Sequence, residues 1–186
     1  LRLRSMTLEY GGHLLSTLLP RWLFRRHREA FRFAGSRRTA DYNLCPANPF
    51  AIATIRQQAA RFFEVHPEVD VFHIWPDDIA GGGWCACPTC ADLSASDQAL
   101  LIINEIADVL HELRPDALIS FLAYHDTRFA PKVVKPRRNV ALLYAPRERC
   151  YAHTLNDRAC SLNLVDYEPS LRQQVAWFAD SGWPEQ

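Results

Sequence analysis

Three short runs of mostly apolar residues constrain the fold of this 186-residue chain most strongly. They occupy residues 71–75, 117–124 and 140–145, and each is nearly continuous rather than alternating. A strand with apolar residues at almost every position is typical of a parallel sheet, in which other elements cover the strands. Helical patterns lie between most of the strand-like segments. The sequence therefore predicts an α/β protein with a parallel sheet.

Two weaker strands and four helical segments complete the predicted order. The additional strands lie at residues 6–10 and 39–44. Helical spacing is seen in residues 14–24, from Asn48-Pro49 to His66-Pro67, from Ser94 to Arg114-Pro115, and around residues 171–178. Pro20 predicts a short or broken first helix, whereas Asn48 and Ser94 are good N-cap residues. The link at residues 127–139 has no helical pattern.

Each predicted strand is followed directly by polar residues. These are His13; Asn43 and Cys45; Asp77 and Asp78; Tyr124, His125 and Asp126; and Arg147 and Arg149. Functional residues of (β/α)8 barrels gather at the carboxyl ends of successive strands, and a complete barrel has eight strands and about 250 residues. The chain therefore predicts a partial (β/α)8 TIM barrel with helices outside, incomplete at one or both ends. A doubly wound open sheet is the alternative, although the usual Gly-x-Gly-x-x-Gly nucleotide turn is absent.

The composition favours a single globular domain over residues 1–186. Hydrophobic residues make up 48% of the chain and charged residues 23%, as in ordinary globular proteins. Lys plus Arg and Asp plus Glu both number 21, so charge gives no reason to expect a nucleic-acid partner. No apolar run reaches the ~18 residues of a membrane span. Without an initiator Met or a signal-peptide pattern, we expect a fragment of a longer protein, and its oligomeric state is not indicated.

The most distinctive local pattern is a cysteine cluster, Cys85, Cys87 and Cys90, that follows three glycines. This Cys-x-Cys-x-x-Cys spacing suits thiolates that hold a structural zinc ion. Disulfide formation, inert thiols and redox chemistry are the alternatives. A zinc site would need a fourth ligand from elsewhere, and Cys45, after another predicted strand, is the best candidate.

Five short motifs together resemble the bacterial proteins of domain of unknown function 4838 (DUF4838). They are Leu-Glu-Tyr-Gly-Gly-His at 8–13, Asn-Leu-Cys-Pro at 43–46, Trp-Pro-Asp-Asp at 75–78, Gly-Trp-Cys-Ala-Cys-Pro-Thr-Cys at 83–90 and Leu-Ala-Tyr-His at 122–125. The resemblance covers nearly the whole chain. It implies a glycoside-hydrolase-like barrel, akin in fold to α-glucuronidases and β-hexosaminidases, and a secreted or periplasmic location.

The adjacent carboxylates Asp77 and Asp78 are the candidate catalytic residues. Glycoside hydrolysis needs one acid to protonate the leaving oxygen and a second group that stabilises or attacks the oxocarbenium-like centre. By likeness to substrate-assisted hexosaminidases, Asp78 would be the proton donor, and Asp77 would orient an acetamido group of the substrate. The alternative is that one Asp caps a turn while the other is merely solvated.

Seven further residues are candidates for binding substrate. Arg147 and Arg149 could clamp the carboxylate of an acidic sugar. The alternative is that they form ordinary surface ion pairs, for example with Glu148. The other five are His13, Trp75, Trp84, Tyr124 and His125. The two tryptophans could stack on a pyranose ring or simply pack in the core.

These patterns predict a glycoside hydrolase that acts on a carbohydrate and requires no cofactor, with a structural zinc as an optional component. The alternative is a non-catalytic glycan-binding barrel, in which the cysteines staple a loop through zinc or a disulfide. A metalloenzyme built on the cysteines is a third reading, although closed cysteine sites are usually structural.

Overall fold

The computed structural model describes residues 6–79 and 81–180. Its strands are β1 (Glu9–Gly12), β2 (Phe33–Ala34), β3 (Arg37–Arg38), β4 (Val71–Ile74), β5 (Leu118–Ala123) and β6 (Val140–Tyr144). Four of them form a parallel sheet in the order β1-β4-β5-β6, while β2 and β3 form a small antiparallel hairpin. The predicted α/β class with a parallel sheet is confirmed.

Three α-helices follow the sequence prediction closely. They are α1 (Pro49–Glu64), α2 (Ala95–Leu113) and α3 (Glu168–Ala179). The Asn48 side chain accepts a hydrogen bond from the Ala51 amide at the start of α1, and Ser94 forms a capping box with Asp97 at the start of α2. These side chains satisfy amide groups that a helix leaves without intrahelical partners. None of the helices in the described ranges is long and apolar enough to span a membrane.

The first predicted helix is broken, as Pro20 indicated. Two short 3₁₀ turns replace it, at Leu15–Leu18 and Arg21–Arg25, and a third follows at Arg28–Ala30. Pro20 stands between the first two turns in an extended conformation. Leu15, Leu18 and Leu19 are nevertheless buried in the main core, so the apolar pattern marks packed residues even though no continuous helix forms.

The predicted strand at residues 39–44 is wrong. Over these residues the chain bends, Tyr42 has a positive φ of 49°, and only Leu44 makes a bridge, to Phe31. Asp41 is held in this bent segment by two hydrogen bonds from Arg32. The positive φ of Tyr42 is incompatible with a regular strand, and the Arg32–Asp41 ion pair stabilises the bend. As a result, β1 pairs directly with β4.

The α-helices pack on one face of the sheet. Phe72 of β4 contacts Phe63 of α1 with ring centroids 4.7 Å apart, and Phe121 of β5 lies 5.6 Å from Phe178 of α3. Successive strand residues point to opposite faces, so His73 and Ser120, which are paired in register, lie on the other face. There Ser120 Oγ is 2.7 Å from His73 Nδ1. The sheet thus has an apolar face toward the helices and a hydrogen-bonded polar group on the opposite face.

The link between β5 and β6 contains no α-helix, in agreement with its sequence. Polar side chains of α2 hold its backbone instead. Asp97 accepts hydrogen bonds from the amides of Lys132, Val133 and Val134, and Asn104 accepts one from the Arg137 amide. Burial opposes ionisation of Asp97, but hydrogen bonds from Ser94 and from the link amides outweigh it and lower the pKa of Asp97. Hydrogen bonds to the buried Asp97 carboxylate therefore hold in place a link that contains no crossover helix.

Candidate active-site cleft and cysteine cluster

A narrow cleft lies beyond the carboxyl ends of β1, β4 and β5, and its free volume of about 20 Å³ holds little more than one water molecule. It is lined by His13, Pro76, Asp77, Ile79, Trp84, Leu122, Tyr124, His125, Asp126 and Thr127. Five residues proposed from the sequence therefore meet around one space, although they come from three different strand ends. This is the location at which parallel α/β proteins build ligand sites.

Asp77 is a partly buried carboxylate with a cation beside it. Its Oδ2 lies 3.6 Å from Nη2 of Arg21, and the Asp77 side chain is 21% exposed. The Asp77 amide donates a hydrogen bond to Oδ1 of Asn43 over 3.1 Å. Arg21 also donates to the Tyr42 carbonyl. Burial lowers the pKa of Arg21, and the neighbouring charges of Asp77 and Asp41 oppose this decrease.

Three polar atoms around Asp77 are buried and make no hydrogen bond within the part of the chain that the structure describes. They are Asp77 Oδ2, Arg21 Nη1 and Asn43 Nδ2. Buried polar groups usually have partners, because leaving them unpaired costs about 1–3 kcal/mol each. Arg21 and Asn43 do not line the cleft, so the two donors and the acceptor lie behind its wall, where a buried water could pair with them.

Asp78 is the more exposed member of the pair and faces a different set of residues. Its side chain is 53% exposed, and its Oδ1 lies 3.7 Å from Nε2 of His125. Burial, followed by the charge of Asp78, raises the pKa of Tyr124. The Tyr124 phenol therefore stays protonated and available as a hydrogen-bond donor. The two adjacent carboxylates are accordingly in different environments, one beside a guanidinium and one beside a phenol and an imidazole.

His125 is the buried centre of a charged network. It is 7% exposed and has a positive φ of 50°, a conformation that is rare for residues with a side chain. Its Nδ1 lies 2.8 Å from Oε1 of Glu148, while its Nε2 contacts Nη1 of Arg147. With the Nδ1 proton directed at Glu148, the imidazole can accept from Arg147 through Nε2.

Asp126 shapes the glycine loop. Its carboxylate accepts hydrogen bonds from the amides of Gly81 and Gly82 at 2.9 and 3.0 Å, and from the indole Nε1 of Trp84 at 3.2 Å. Trp84 lines the cleft and packs against the core, so its packing role is confirmed, while its stacking on a sugar ring stays a prediction.

Trp75 and His13 lie next to each other, directly after the carboxyl ends of β4 and β1. The Trp75 indole donates to Ser120 Oγ over 2.8 Å, which places it on the sheet face away from the helices, and it does not line the cleft. His13 does line the cleft, with its Nδ1 2.5 Å from the Pro76 carbonyl oxygen. The two rings make an edge contact with centroids 5.5 Å apart.

Arg147 and Arg149 point to different partners. Arg147 contacts His125, whereas the Arg149 guanidinium lies over the Tyr151 ring, 4.1 Å from its centroid. Both arginines line a second depression of about 340 Å³, which shares Tyr124 with the cleft. Arg147 therefore links the two depressions, and Arg149 is positioned at the rim of the second one.

Cys45, Cys85, Cys87 and Cys90 form a buried cluster beside the cleft. Their Sγ atoms all lie within 4.8 Å of one another, with Cys45 3.8 Å from Cys87 and 3.9 Å from Cys90. A disulfide bond measures about 2.05 Å, and all four residues are free thiols in this structure. The fourth cysteine proposed from the sequence, Cys45, is confirmed as part of the cluster, and this set of thiols could hold a metal ion.

Hydrogen bonds support this cluster from outside. Cys85 Sγ accepts from the Phe33 amide at 3.3 Å and lies 3.5 Å from Arg38 Nη1. The buried Gln98 side chain binds the loop backbone through the amide and the carbonyl of Cys85. Donors aimed at sulfur stabilise thiolate and are the usual second layer around a metal–thiolate centre.

Three of these thiols, those of Cys45, Cys85 and Cys90, do not ionise independently. A hydrogen bond from Cys45 and backbone amides lower the pKa of Cys85 to about 4 despite its burial. The same hydrogen bond raises the pKa of Cys45, and burial raises the pKa of Cys90 to about 12. Without a metal, the protein therefore favours the thiolate form at Cys85 over the thiolate forms of Cys45 and Cys90, and a bound divalent cation would favour ionisation of the thiols that it binds.

Comparison with known families identifies the chain. A family model described as domain of unknown function (DUF4838) matches residues 3–175. The chain belongs to the DUF4838 family. The matched range includes the entire cleft and all four clustered cysteines, and it confirms the resemblance carried by the five sequence motifs. None of the curated proteins matches the chain.

Three polar residues of this DUF4838 chain surround the candidate site without having been proposed as ligand-binding residues. Arg21 lies in a 3₁₀ turn, within the segment 14–24 whose sequence predicted only a short or broken helix. Asn43 lies within the segment 39–44 that was wrongly predicted as a strand, although its position two residues before Cys45 was a signal. Glu148 was read as a partner of surface arginines, but it binds the buried His125 instead. Their roles depend on tertiary contacts that no local pattern encodes.

Proposed function

We propose that this DUF4838 chain is part of a glycoside hydrolase and that Asp77 and Asp78 act on the glycosidic bond. The observation that carries the proposal is the contrast between two adjacent carboxylates beside one cleft. Asp77 is partly buried next to Arg21, whereas Asp78 is half exposed next to Tyr124 and His125. Glycosidases need two such groups with different roles, and a difference in environment is how proteins assign those roles.

The proposed roles follow from these environments. Asp77 is held beside Arg21 and Asn43, which suits a residue that orients the substrate or stabilises positive charge at the anomeric carbon. Asp78 is accessible from solvent and can regain a proton after each turnover, which suits the proton donor to the leaving oxygen. Arg21 and Asn43 lie behind Asp77 and would act as positioning residues for its carboxylate.

A partial (β/α)8 barrel is the fold that we propose for this site. All four strands of the main sheet are parallel, and the helices pack on one face, as the outer layer of a barrel does. The other face carries a hydrogen-bonded group of Glu9, His73 and Ser120, which would point into the barrel interior. Four strands would be half of the eight that close such a barrel.

We propose that the four-cysteine cluster holds a structural Zn²⁺ ion. Tetrahedral coordination with Zn–S distances of about 2.3 Å places the sulfur atoms about 3.8 Å apart, and the cluster has separations of 3.8 and 3.9 Å. All four ligands would be protein thiolates buried from solvent, so no coordination position would remain for substrate. Such an ion would fix the Cys85–Cys90 loop against Phe33 and so support Trp84 at the cleft wall.

A substrate panel tests the proposed reaction. The full-length protein would be assayed on aryl N-acetylhexosaminides, uronides and sialosides, together with the Asp77→Asn and Asp78→Asn variants. We expect activity on one class of sugar, and we expect Asp78→Asn to lose roughly 10²–10⁴-fold on those aryl glycosides whose phenol is poorly acidic, because such leaving groups need a proton. Asp116→Asn, a matched change at an exposed residue that precedes β5, at the opposite end of the strand from the cleft, should retain the wild-type rate.

A folded protein that is inactive on the whole panel but binds glycans in a direct binding assay would refute the hydrolase proposal. It would favour the non-catalytic glycan-binding alternative. Equal activity of the wild type and both Asp variants would instead place the reaction elsewhere in the protein.

A further inference from the structure

A second cluster of metal-ligating side chains lies outside the cleft and outside the four-cysteine cluster. The ligand atoms of Cys150, His153 and Cys160 all lie within 4.8 Å of one another. Cys150 Sγ is 3.0 Å from Nδ1 of His153. The three residues belong to one irregular segment that follows β6, and no sequence motif assigned them a role.

The segment is folded so that these residues meet. The buried side chain of Asn163 accepts a hydrogen bond from the Cys150 amide at 2.8 Å and donates one to the Thr154 carbonyl at 3.0 Å. The Cys160 amide in turn donates to the Asp157 carbonyl at 3.2 Å. Asn163 therefore closes a loop whose two ends carry the cysteines. Few apolar contacts hold this loop, because most of residues 151–159 are exposed.

This second cluster differs from the first in its exposure. Cys160 is 5% exposed, Cys150 is partly exposed and His153 is exposed. Three protein ligands with one side open to solvent match the ligand count of zinc sites that keep a fourth position for water or another ligand. A closed structural site, by contrast, takes four protein ligands.

We propose that Cys150, His153 and Cys160 bind a second Zn²⁺ ion, with a fourth coordination position open to solvent. Two thiolates and one imidazole are preferred zinc ligands. Tetrahedral geometry would separate a Cys sulfur from a His nitrogen by about 3.5 Å, so the Cys150–His153 pair needs to open by only a fraction of an ångström. The ion would replace the hydrogen bond between them with two coordinate bonds.

An ion bound at this position would also restrain residues that contact the cleft. Arg147, Glu148 and Arg149 precede Cys150 directly, and Arg147 and Glu148 both contact His125. A bound ion would restrain the loop that carries these residues. Its loss should therefore loosen the loop on the His125 side of the cleft while the four-cysteine cluster stays intact.

The test is the zinc content of the reduced, purified protein, measured by elemental mass spectrometry and expressed per chain. We expect Cys150→Ser and His153→Ala to contain one zinc fewer than the wild type, and His111→Ala, a matched change at an exposed histidine of α2, to be unchanged. Cys85→Ser should lose the other ion and keep this one. Because His153 is exposed, its variant should keep the far-ultraviolet circular dichroism of the wild type.

Equal zinc contents in the wild type and His153→Ala would overturn the proposal. A wild-type protein whose mass shows a Cys150–Cys160 disulfide under the same reducing conditions would also overturn it, since an oxidised pair cannot supply two thiolates. The readout does not depend on catalysis or on the first cluster. A wild type with a single zinc that disappears in His153→Ala would support this site while removing the proposed zinc of the four-cysteine cluster.

Discussion

Replacing Asp97 by alanine should destabilise the fold far more than a typical surface substitution. The carboxylate is 0% exposed, accepts hydrogen bonds from the amides of Lys132, Val133 and Val134, and closes the capping box with Ser94. Hydrogen bonds to a charged group contribute ~1.5–3 kcal/mol each. Three would sum to roughly 4.5–9 kcal/mol. Water can reach the exposed residues 132 and 133, which reduces the expected loss to about 4 kcal/mol.

Asp97→Asn provides a graded comparison. Oδ1 accepts from all three link amides, whereas Oδ2 serves Ser94 and shares the Lys132 amide. Asparagine can keep an oxygen at the Oδ1 position and lose only the contacts of Oδ2. We therefore expect Asp97→Asn to cost about 1–2 kcal/mol, the usual size of a lost cap or a single lost hydrogen bond. Asp92→Ala, at an exposed acidic residue just before α2, should cost less than ~0.5 kcal/mol.

Urea unfolding at pH 7 and 25 °C measures these differences, provided that the dependence of the unfolding free energy on urea is the same in each variant. The effect should also depend on pH. The pKa of Asp97 is lowered in the folded chain, so its contribution is complete above the pKa of an unfolded Asp, about 3.9, and is lost as pH falls through the folded value. An Asp97→Ala loss below ~1 kcal/mol at pH 7, or equal losses in the alanine and asparagine variants, would refute the reasoning.

Three further predictions follow from individual contacts. Cys45→Ser should release the metal of the four-cysteine cluster and lower the thermal midpoint, measured by elemental analysis and calorimetry, and an unchanged metal content would contradict the assignment. In chelated, reduced protein the hydrogen bond with His153 lowers the pKa of Cys150 to about 7, so its alkylation rate, followed by peptide mass spectrometry, should be half-maximal near that pH. In His153→Ala the midpoint should rise toward the ordinary ~8.5, and an identical profile would exclude the contact. Trp84→Phe should cost about 1 kcal/mol in urea unfolding, because Asp126 loses the indole donor, whereas no change would show that the bond contributes nothing.

Local patterns in the sequence predicted the regular elements well. Asn48-Pro49 and the Ser94 capping box mark the starts of α1 and α2, because capping depends on residues that are adjacent in sequence. The three continuous apolar runs became β4, β5 and β6 with small shifts at their ends. Pro20 correctly predicted a broken first helix. Each of these signals is local, so no knowledge of the tertiary structure was needed.

The errors and omissions involve long-range contacts. Residues 39–44 have strand-like composition, but the Arg32–Asp41 ion pair holds them in a bend. Asp126, one of the polar residues that follow the predicted strand at 117–124, binds the backbone of the glycine loop. His125 pairs with Glu148, 23 residues away, rather than with its neighbour. Which of several nearby carboxylates faces a histidine depends on the course of the backbone, and no spacing rule predicts it.

The most direct test of the central claim is the leaving-group dependence of the Asp78→Asn variant. Once the panel has identified the sugar, kcat/KM would be compared for glycosides of that sugar with a strongly acidic phenol and with a poorly acidic alcohol as leaving groups. If Asp78 donates the proton, the variant should lose roughly 10²–10⁴-fold on the alcohol glycoside and far less on the phenol glycoside, which needs no protonation. Equal losses on both substrates, or no loss on either, would contradict the assignment of Asp78 as the acid.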